Sequence, residues 1–247
     1  MFKRFYKTNF TLHRLCFFCI WNNKNNKEYL LVDGGGGNQI LNQLKLANID
    51  MSDCISLETL NCVQCKDLES IVISGSSTLK NVYASECTAL TSVNLSRCIA
   101  LVDLDVSRCT LLKTLDITEC NELQYLDVTG TQIVSIDVSG DNKYTKLISL
   151  EASECISLKS INASGCTSLT TIDIAESSLL QSLNISGTSI ASLDVSGYNE
   201  YALASLDVSD CTVLKSLDCS SRLELSSIDV TGCIALKVLD IGNTIIT

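Results

Sequence analysis

Cysteine is the residue type in this sequence with the most chemistry to offer, and the chain contains 14 of them. Two pairs have the C-x-x-C spacing, Cys16 with Cys19 and Cys62 with Cys65, so each could be half of a metal or redox site. Neither pair has a second pair at the spacing of a zinc site, and His13 is the single histidine. We therefore predict that the protein holds no metal and no cofactor.

Carboxylates are the other abundant reactive groups, since Asp and Glu number 28 against 18 Lys and Arg, giving a net charge of −10. This charge argues against nucleic acid as a partner, because phosphate binding needs a basic surface. The chain has no nucleophile beside a base and no Gly-rich phosphate loop followed by Lys. We therefore predict that it is not an enzyme.

These reactive residues are spaced by an internal repeat that covers residues 46–247. The repeat reads L-x-x-L-D-V-S-x-C-x-x, and its 11-residue period is clearest in residues 101–111. We number the positions of each unit as slots 1 to 11, starting from its first Leu. There are 18 units, and slots 1, 4 and 6 are apolar in all of them.

The repeat predicts a stack of short strands. Slots 4 to 6 alternate inward, outward and inward, which is the period-2 signature of a strand with one buried face. One unit cannot bury its apolar side alone, whereas stacked units can, and the result is a solenoid.

The run from Leu112 to Leu123 resembles the leucine-rich repeat pattern L-x-x-L-x-L-x-x-N/C-x-L. Its 11-residue half-period is similar to the short, irregular bacterial class called IRREKO repeats. The resemblance implies a mainly β protein with little helix, a parallel β-solenoid of about 9 coils of about 22 residues each.

Slots 9 and 5 carry the recurring reactive groups. Slot 9 holds ten of the cysteines, and we predict a column of buried free thiols filling a tight turn. Slot 5 points outward and is Asp in eleven units, which predicts an acidic face. Two interpretations of these Asp stay open, local hydrogen bonds to the backbone of the turn, or rows that bind Ca²⁺ or a basic partner. The residues assigned to the acidic face are Asp105, Asp116, Asp127, Asp137, Asp207, Asp218 and Asp229.

Two short insertions interrupt the repeat, and each follows a ten-residue unit. They supply Tyr and Asn, which suit contacts with protein or glycan when they lie on protruding loops. Because the insertions follow units 9 and 14, we expect them at opposite edges of a two-unit coil. The candidate partner-binding residues are Asn142, Tyr144, Tyr198, Asn199 and Tyr201.

The N-terminal region differs from the repeat in being basic and aromatic. We divide the chain into an arm at residues 1–33, a Gly-rich hinge and cap at residues 34–45, and the solenoid at residues 46–247. The arm could dock on the first coil, on a membrane surface or on a second protein, and we favour the last. The sequence has no run of 18 apolar residues, so we predict no transmembrane helix. The candidate anchoring residues are Phe2, Phe5, Tyr6, Phe10, Phe17, Phe18 and Trp21.

Two functional hypotheses follow. In the first, an acidic solenoid is tethered by its arm to a larger assembly of virion or cell-envelope type and presents a binding surface. In the alternative, a surface adhesion or ligand-binding module recognises protein or glycan through the sheet face or the Tyr-bearing loops. The unpaired thiols favour folding in a reducing compartment under either hypothesis.

Overall fold

The computed structural model describes residues 15–22, 26–33, 46–52, 57–140, 143–197 and 202–246. All regular elements in these residues are β-strands. The described residues include no helix long and apolar enough to cross a membrane.

An antiparallel hairpin precedes the solenoid. It consists of β1, Leu15–Asn22, and β2, Asn26–Asp33. β1 also pairs antiparallel with β3, Asn48–Asp50, which is the first strand of the repeat. Residues 15–22 and 26–33, predicted to be part of an arm, thus extend the sheet of the first coil, whereas residues 1–14, 23–25 and 34–45 lie outside the described residues.

Each of the 18 repeat units contributes one three-residue strand at its slots 3 to 5, and successive strands alternate between two faces. The odd face consists of β3, β5 Ser70–Val72, β7 Ser92–Asn94, β9 Thr114–Asp116, β11 Ser135–Asp137, β13 Ser160–Asn162, β15 Ser182–Asn184, β17 Ser205–Asp207 and β19 Ser227–Asp229. The even face consists of β4 Thr59–Asn61, β6 Asn81–Tyr83, β8 Asp103–Asp105, β10 Tyr125–Asp127, β12 Ser149–Glu151, β14 Thr171–Asp173, β16 Ser192–Asp194, β18 Ser216–Asp218 and β20 Val238–Asp240.

Neighbouring strands on one face are parallel and in register, so that identical slots stack, as Leu104 does on Leu126. Each face advances by about eight turns from its first strand to its last. The predicted parallel β-solenoid with little helix is therefore confirmed, and the described residues contain no helix. Its core is the stack of slots 1, 4, 6 and 9, where side chains such as Leu101, Leu104 and Cys109 are fully buried.

The strand ladder is interrupted once on each face. β9 is not paired with β11, and β14 is not paired with β16. In both places the turn before the second strand is one residue shorter than usual. Slot 1 normally lies three positions after slot 9 of the previous unit, as Leu101 does after Cys98, but Ile133 lies only two positions after Thr131. The two insertions follow β11 and β16, so they follow strands on opposite faces, as the parity of the units predicts.

The outward Asp or Asn of slot 5 closes the turn after fifteen of the 18 repeat strands, the exceptions being those that end at Val72, Tyr83 and Glu151. Its Oδ1 accepts the backbone N–H two residues later, at 2.9 Å from Ser107 to Asp105 and at 3.0 Å from Ser96 to Asn94. The Ser107 hydroxyl also donates to Asp105, at 2.6 Å. The local hydrogen bonds predicted for slot 5 are thus present, and Asp and Asn both make them because each offers a side-chain oxygen.

Slot-9 side chains form hydrogen bonds in the core in addition to filling space there. In eight units the thiol donates to the slot-6 carbonyl of the preceding turn, at 2.8 to 3.3 Å. Ser177 makes the same bond to Ala152 O at 2.7 Å. The eleven described cysteines of the solenoid are free thiols. Cys and Ser at slot 9 therefore both supply a hydrogen-bond donor. The prediction of a column that fills space did not include this requirement.

Cys109 tests this requirement, because its Sγ donates to Ala84 O at 3.1 Å in a fully buried position. We expect Cys109→Ser to change the free energy of unfolding by less than about 1 kcal/mol, since the hydroxyl keeps the bond. Cys109→Ala should cost roughly 2 to 3 kcal/mol, because it removes the donor and leaves a small cavity. Urea denaturation of the two variants measures the difference, and equal costs would contradict a role for the donor.

Candidate functional site

The two faces of the solenoid differ in charge along slot 5. On the even face every slot-5 residue from β8 onward is a carboxylate, and we call this set the carboxylate row: Asp105, Asp127, Glu151, Asp173, Asp194, Asp218 and Asp240. The row is in register within each sheet. Paired strands lie about 4.8 Å apart, so the row consists of two dense runs of negative charge, from Asp105 to Asp173 and from Asp194 to Asp240.

Slot 5 of the odd face mixes charged and neutral residues. From β11 to β17 it reads Asp137, Asn162, Asn184 and Asp207, with each residue in register with the next. Neutral amides thus separate the carboxylates there. The seven Asp predicted to form one acidic face are divided by the structure, with Asp105, Asp127 and Asp218 on the even face and Asp116, Asp137, Asp207 and Asp229 on the odd face.

Aromatic side chains lie beside the N-terminal end of the carboxylate row. Tyr125 on β10 is 45% exposed and is in register with Asp103 on β8. Tyr83 on β6 donates its hydroxyl to Asp103 Oδ2 at 3.0 Å. Rings next to carboxylates suit a Lys or Arg side chain, which gains both an ion pair and a cation–π contact.

Tyr144 does not lie on the protruding loop that the sequence predicts. It was predicted to protrude from an insertion, but it is 5% exposed and its hydroxyl donates to Ile117 O at 2.7 Å. This is the bond that a slot-9 thiol makes elsewhere, and Leu147 N donates to Tyr144 O as Leu101 N does to Cys98 O. Tyr144 therefore occupies slot 9 of its unit, because the insertion lies before it in the chain. Burial raises the pKa of its phenol well above the usual range.

The other predicted contact residues of the insertions, Asn142, Tyr198, Asn199 and Tyr201, lie outside the described residues. So do four of the candidate anchoring residues, Phe2, Phe5, Tyr6 and Phe10. Phe17, Phe18 and Trp21 belong to β1, which pairs with β2 and β3. Tyr144, the one candidate of the insertions among the described residues, does not belong to the carboxylate row.

Arg222 is a notable residue that sequence reasoning missed. It is 4% exposed at slot 9, and its guanidinium donates through Nε to Val195 O and through Nη2 to Ser196 O at 2.8 Å. Hydrogen bonds from Ser196 lower the pKa of Asp194, and the charge of Arg222 contributes to the same shift. Its position in the repeat, where ten other units have Cys, was the available signal.

The described residues contain no group of three or more His, Cys, Asp or Glu side chains arranged to hold a metal ion. Burial raises the pKa of Cys120, Cys166 and Cys219 to about 12, so these thiols are protonated and unreactive near neutrality. Two surface features could contact a partner, the carboxylate row on the even face and a cleft on the odd face lined by β5, β7, β9 and residues 133–135.

Comparison with known proteins identifies the repeat. A family model described as "At1g61320/AtMIF1, LRR domain" matches residues 18–171. No curated protein matches the chain significantly. Leucine-rich repeat solenoids are interaction modules, because stacking creates an extended surface for a partner. The match covers more than half of the chain, so this protein belongs to the At1g61320/AtMIF1 leucine-rich repeat domain family.

Proposed function

We propose that this chain is a non-enzymatic interaction scaffold whose carboxylate row binds a Lys- and Arg-rich segment of a protein partner. The observation that carries the proposal is the difference between the faces: slot 5 is a carboxylate on all seven even-face strands from β8 to β20, whereas on the odd face Asn94, Asn162 and Asn184 interrupt the carboxylates.

Local structure does not require the charge of the row. The turn needs a side-chain oxygen at slot 5, and Asn94 and Asn184 supply it as well as Asp127 does. Directly opposed like charges destabilise a sheet by roughly 0.2 to 1 kcal/mol per pair. A row of carboxylates that costs stability and is not needed for the turn favours a role in binding.

A basic partner would remove this repulsion. Lys or Arg side chains placed between successive carboxylates convert the repulsion into attraction, with Tyr125 available for a cation–π contact at one end. The same carboxylates would speed the encounter with a basic protein at low ionic strength.

Two triple variants test the proposal with the same change in net charge. The even-face variant is Asp105→Asn, Asp127→Asn and Asp173→Asn, and the odd-face control is Asp137→Asn, Asp207→Asn and Asp229→Asn. All six residues accept the same slot-7 N–H, and Asn keeps that bond.

We expect the even-face triple variant to bind a labelled Lys/Arg-rich peptide about tenfold more weakly at low salt, and the odd-face control to lose no more than about twofold. Fluorescence anisotropy at two salt concentrations measures both effects. Equal losses in the two variants would show that net charge alone attracts the peptide, and the proposal would be wrong.

The tether remains part of the proposal. Residues 1–14 hold Lys3, Arg4, Lys7 and Arg14 with no acidic residue, and we propose that they attach the solenoid to a larger assembly. Deleting residues 1–14 while keeping the β1–β2 hairpin should release the protein from that assembly, as measured by co-sedimentation. The adhesion alternative would be favoured if the truncated protein still co-sedimented with the assembly and if Tyr201→Ala in the full chain abolished that co-sedimentation. The bacterial IRREKO class and the virion or cell-envelope setting stay predictions.

A further inference from the structure

The interrupted ladder on the odd face lies beside a cleft of about 350 Å³. The cleft is lined by β5, β7, β9 and residues 133–135, which lead into β11. Leu115, at slot 4 of β9, is partly exposed there, whereas Val93 at the same slot of β7 is 2% exposed. The apolar core therefore reaches the surface in this cleft.

Within the part of the chain that the structure describes, the edge of β9 beside the cleft has unpaired backbone groups, whereas the equivalent groups of β7, one turn earlier, are hydrogen-bonded to the next strand. Leu95 N donates to Asp116 O at 2.8 Å and so joins the end of β7 to β9. Among the described residues, no equivalent backbone bond from Ile117 N is found, and β9 has no strand partner on the side of β11. An open strand edge of this kind is a template for an extended peptide.

Charges along β9 give the cleft a direction. Lys113 precedes the strand, Asp116 ends it, and both are exposed and line the cleft with Leu115 between them. A segment running parallel to β9 would place its first residue beside Lys113 and its fourth beside Asp116. Charge complementarity then favours an acidic residue first, an apolar residue beside Leu115 and a basic residue fourth.

We propose that this cleft is a strand-addition site for an extended segment of a partner protein in which an acidic first residue is followed by an apolar third and a basic fourth residue. The segment runs parallel to β9, pairs with its open edge and places its apolar third residue on Leu115. The site lies on the face opposite the carboxylate row, so it can fail without affecting the proposed function.

A labelled peptide with the core Glu-Ser-Val-Lys-Leu is the probe, titrated into the full chain and followed by fluorescence anisotropy. We expect saturable binding that weakens about tenfold when the third and fourth residues are N-methylated, because the backbone donors are lost. Reversing the charges, as in Lys-Ser-Val-Glu-Leu, should weaken binding several-fold. Absence of saturable binding, or equal affinity for the N-methylated peptide, would overturn the proposal.

Matched insertions test the position of the site. One Leu inserted between Gln132 and Ile133 restores the three-residue spacing of the turn before β11, and we expect it to close the ladder and reduce peptide binding by at least about tenfold. One Leu inserted between Ser189 and Ile190 makes the same change before β16 and should leave peptide binding unchanged. Loss of binding in both variants, or in neither, would contradict the assigned position.

A charge variant keeps the test independent of how the insertions fold. Lys113→Glu should reverse the preference, so that the Lys-first peptide binds more tightly than the Glu-first peptide, and an unchanged preference would overturn the parallel register. Sedimentation of the peptide-free chain covers the other possible occupant. A dimer that disappears on insertion before β11 would show that a second copy, and not a partner segment, fills the cleft.

Discussion

Replacing Leu104 with Asp is expected to unfold the turns of the solenoid around β8. Leu104 is fully buried at slot 4 and is in register with Val82 and Leu126 on the neighbouring strands of the even face. A carboxylate there would lose its water without gaining a partner, and the lost apolar contacts add to the cost. We expect a loss of at least about 4 to 5 kcal/mol in the free energy of unfolding.

Thr114→Asp is the matched control, because Thr114 is exposed at slot 3 of β9. We expect it to change stability by less than about 0.5 kcal/mol. Circular dichroism during urea denaturation measures both variants, and hydrogen exchange locates the unfolded turns in Leu104→Asp. Near-normal stability of the Leu104 variant would contradict the assignment of slot 4 to the core.

Alkaline pH is expected to destabilise the protein strongly from about pH 9, because burial raises the pKa of the thiols in the folded state. The pKa values of Cys120, Cys166 and Cys219 rise from 9.0 to about 12. Below pH 9 both states keep these protons, so the thiols do not affect the stability. Above it the unfolded chain releases protons that the folded chain retains, which favours unfolding until about pH 12.

The expected loss at pH 10 is roughly 1.4 kcal/mol for each of these thiols, or about 4 kcal/mol for the three. Urea denaturation in reducing buffer at pH 7, 9 and 10 measures it. The control is the double variant Cys120→Ser and Cys166→Ser, since Ser keeps a donor at slot 9 and does not titrate in this range. Its loss at pH 10 should be smaller by about 3 kcal/mol. An unchanged loss would show that other groups cause the alkaline effect.

The fold could be predicted because every unit repeats the same short-range pattern. Slots 4 and 6, such as Leu104 and Val106, alternate with the outward Asp105, and this alternation alone predicts a strand with one buried face. The turn was also predictable in part, because Asp followed two positions later by Ser is a local hydrogen-bonding pattern. The structure shows that bond between Asp105 and Ser107.

Tyr144 shows where the pattern was insufficient. Counting eleven residues from the previous unit does not locate slot 9 when an insertion intervenes, so the sequence suggested an exposed loop residue. The structure places Tyr144 in the core column, because a donor is needed for Ile117 O, and a phenol can supply it across the space between turns. Arg222 meets the same need at Val195 O.

The candidate sites depended still more on the stacking of the units. Asp105 and Asp116 occupy the same slot of consecutive units, yet they lie on opposite faces because two strands complete one turn. A list of slot-5 residues that ignores the parity of their units therefore hides the carboxylate row and its Asn-interrupted counterpart. Likewise, one missing residue before Ile133 is a small change in the sequence, but it opens the ladder between β9 and β11.

The sequence by itself determined the solenoid, its core slots, its hydrogen-bonded turns and its excess of negative charge, since each of these depends on contacts within one unit or on the period between units. Only the tertiary structure decided which residues donate across turns, where the strand ladder opens and how the carboxylates of one face stack on each other. These features join residues about 22 positions apart, and their geometry is fixed by the register of one turn on the next.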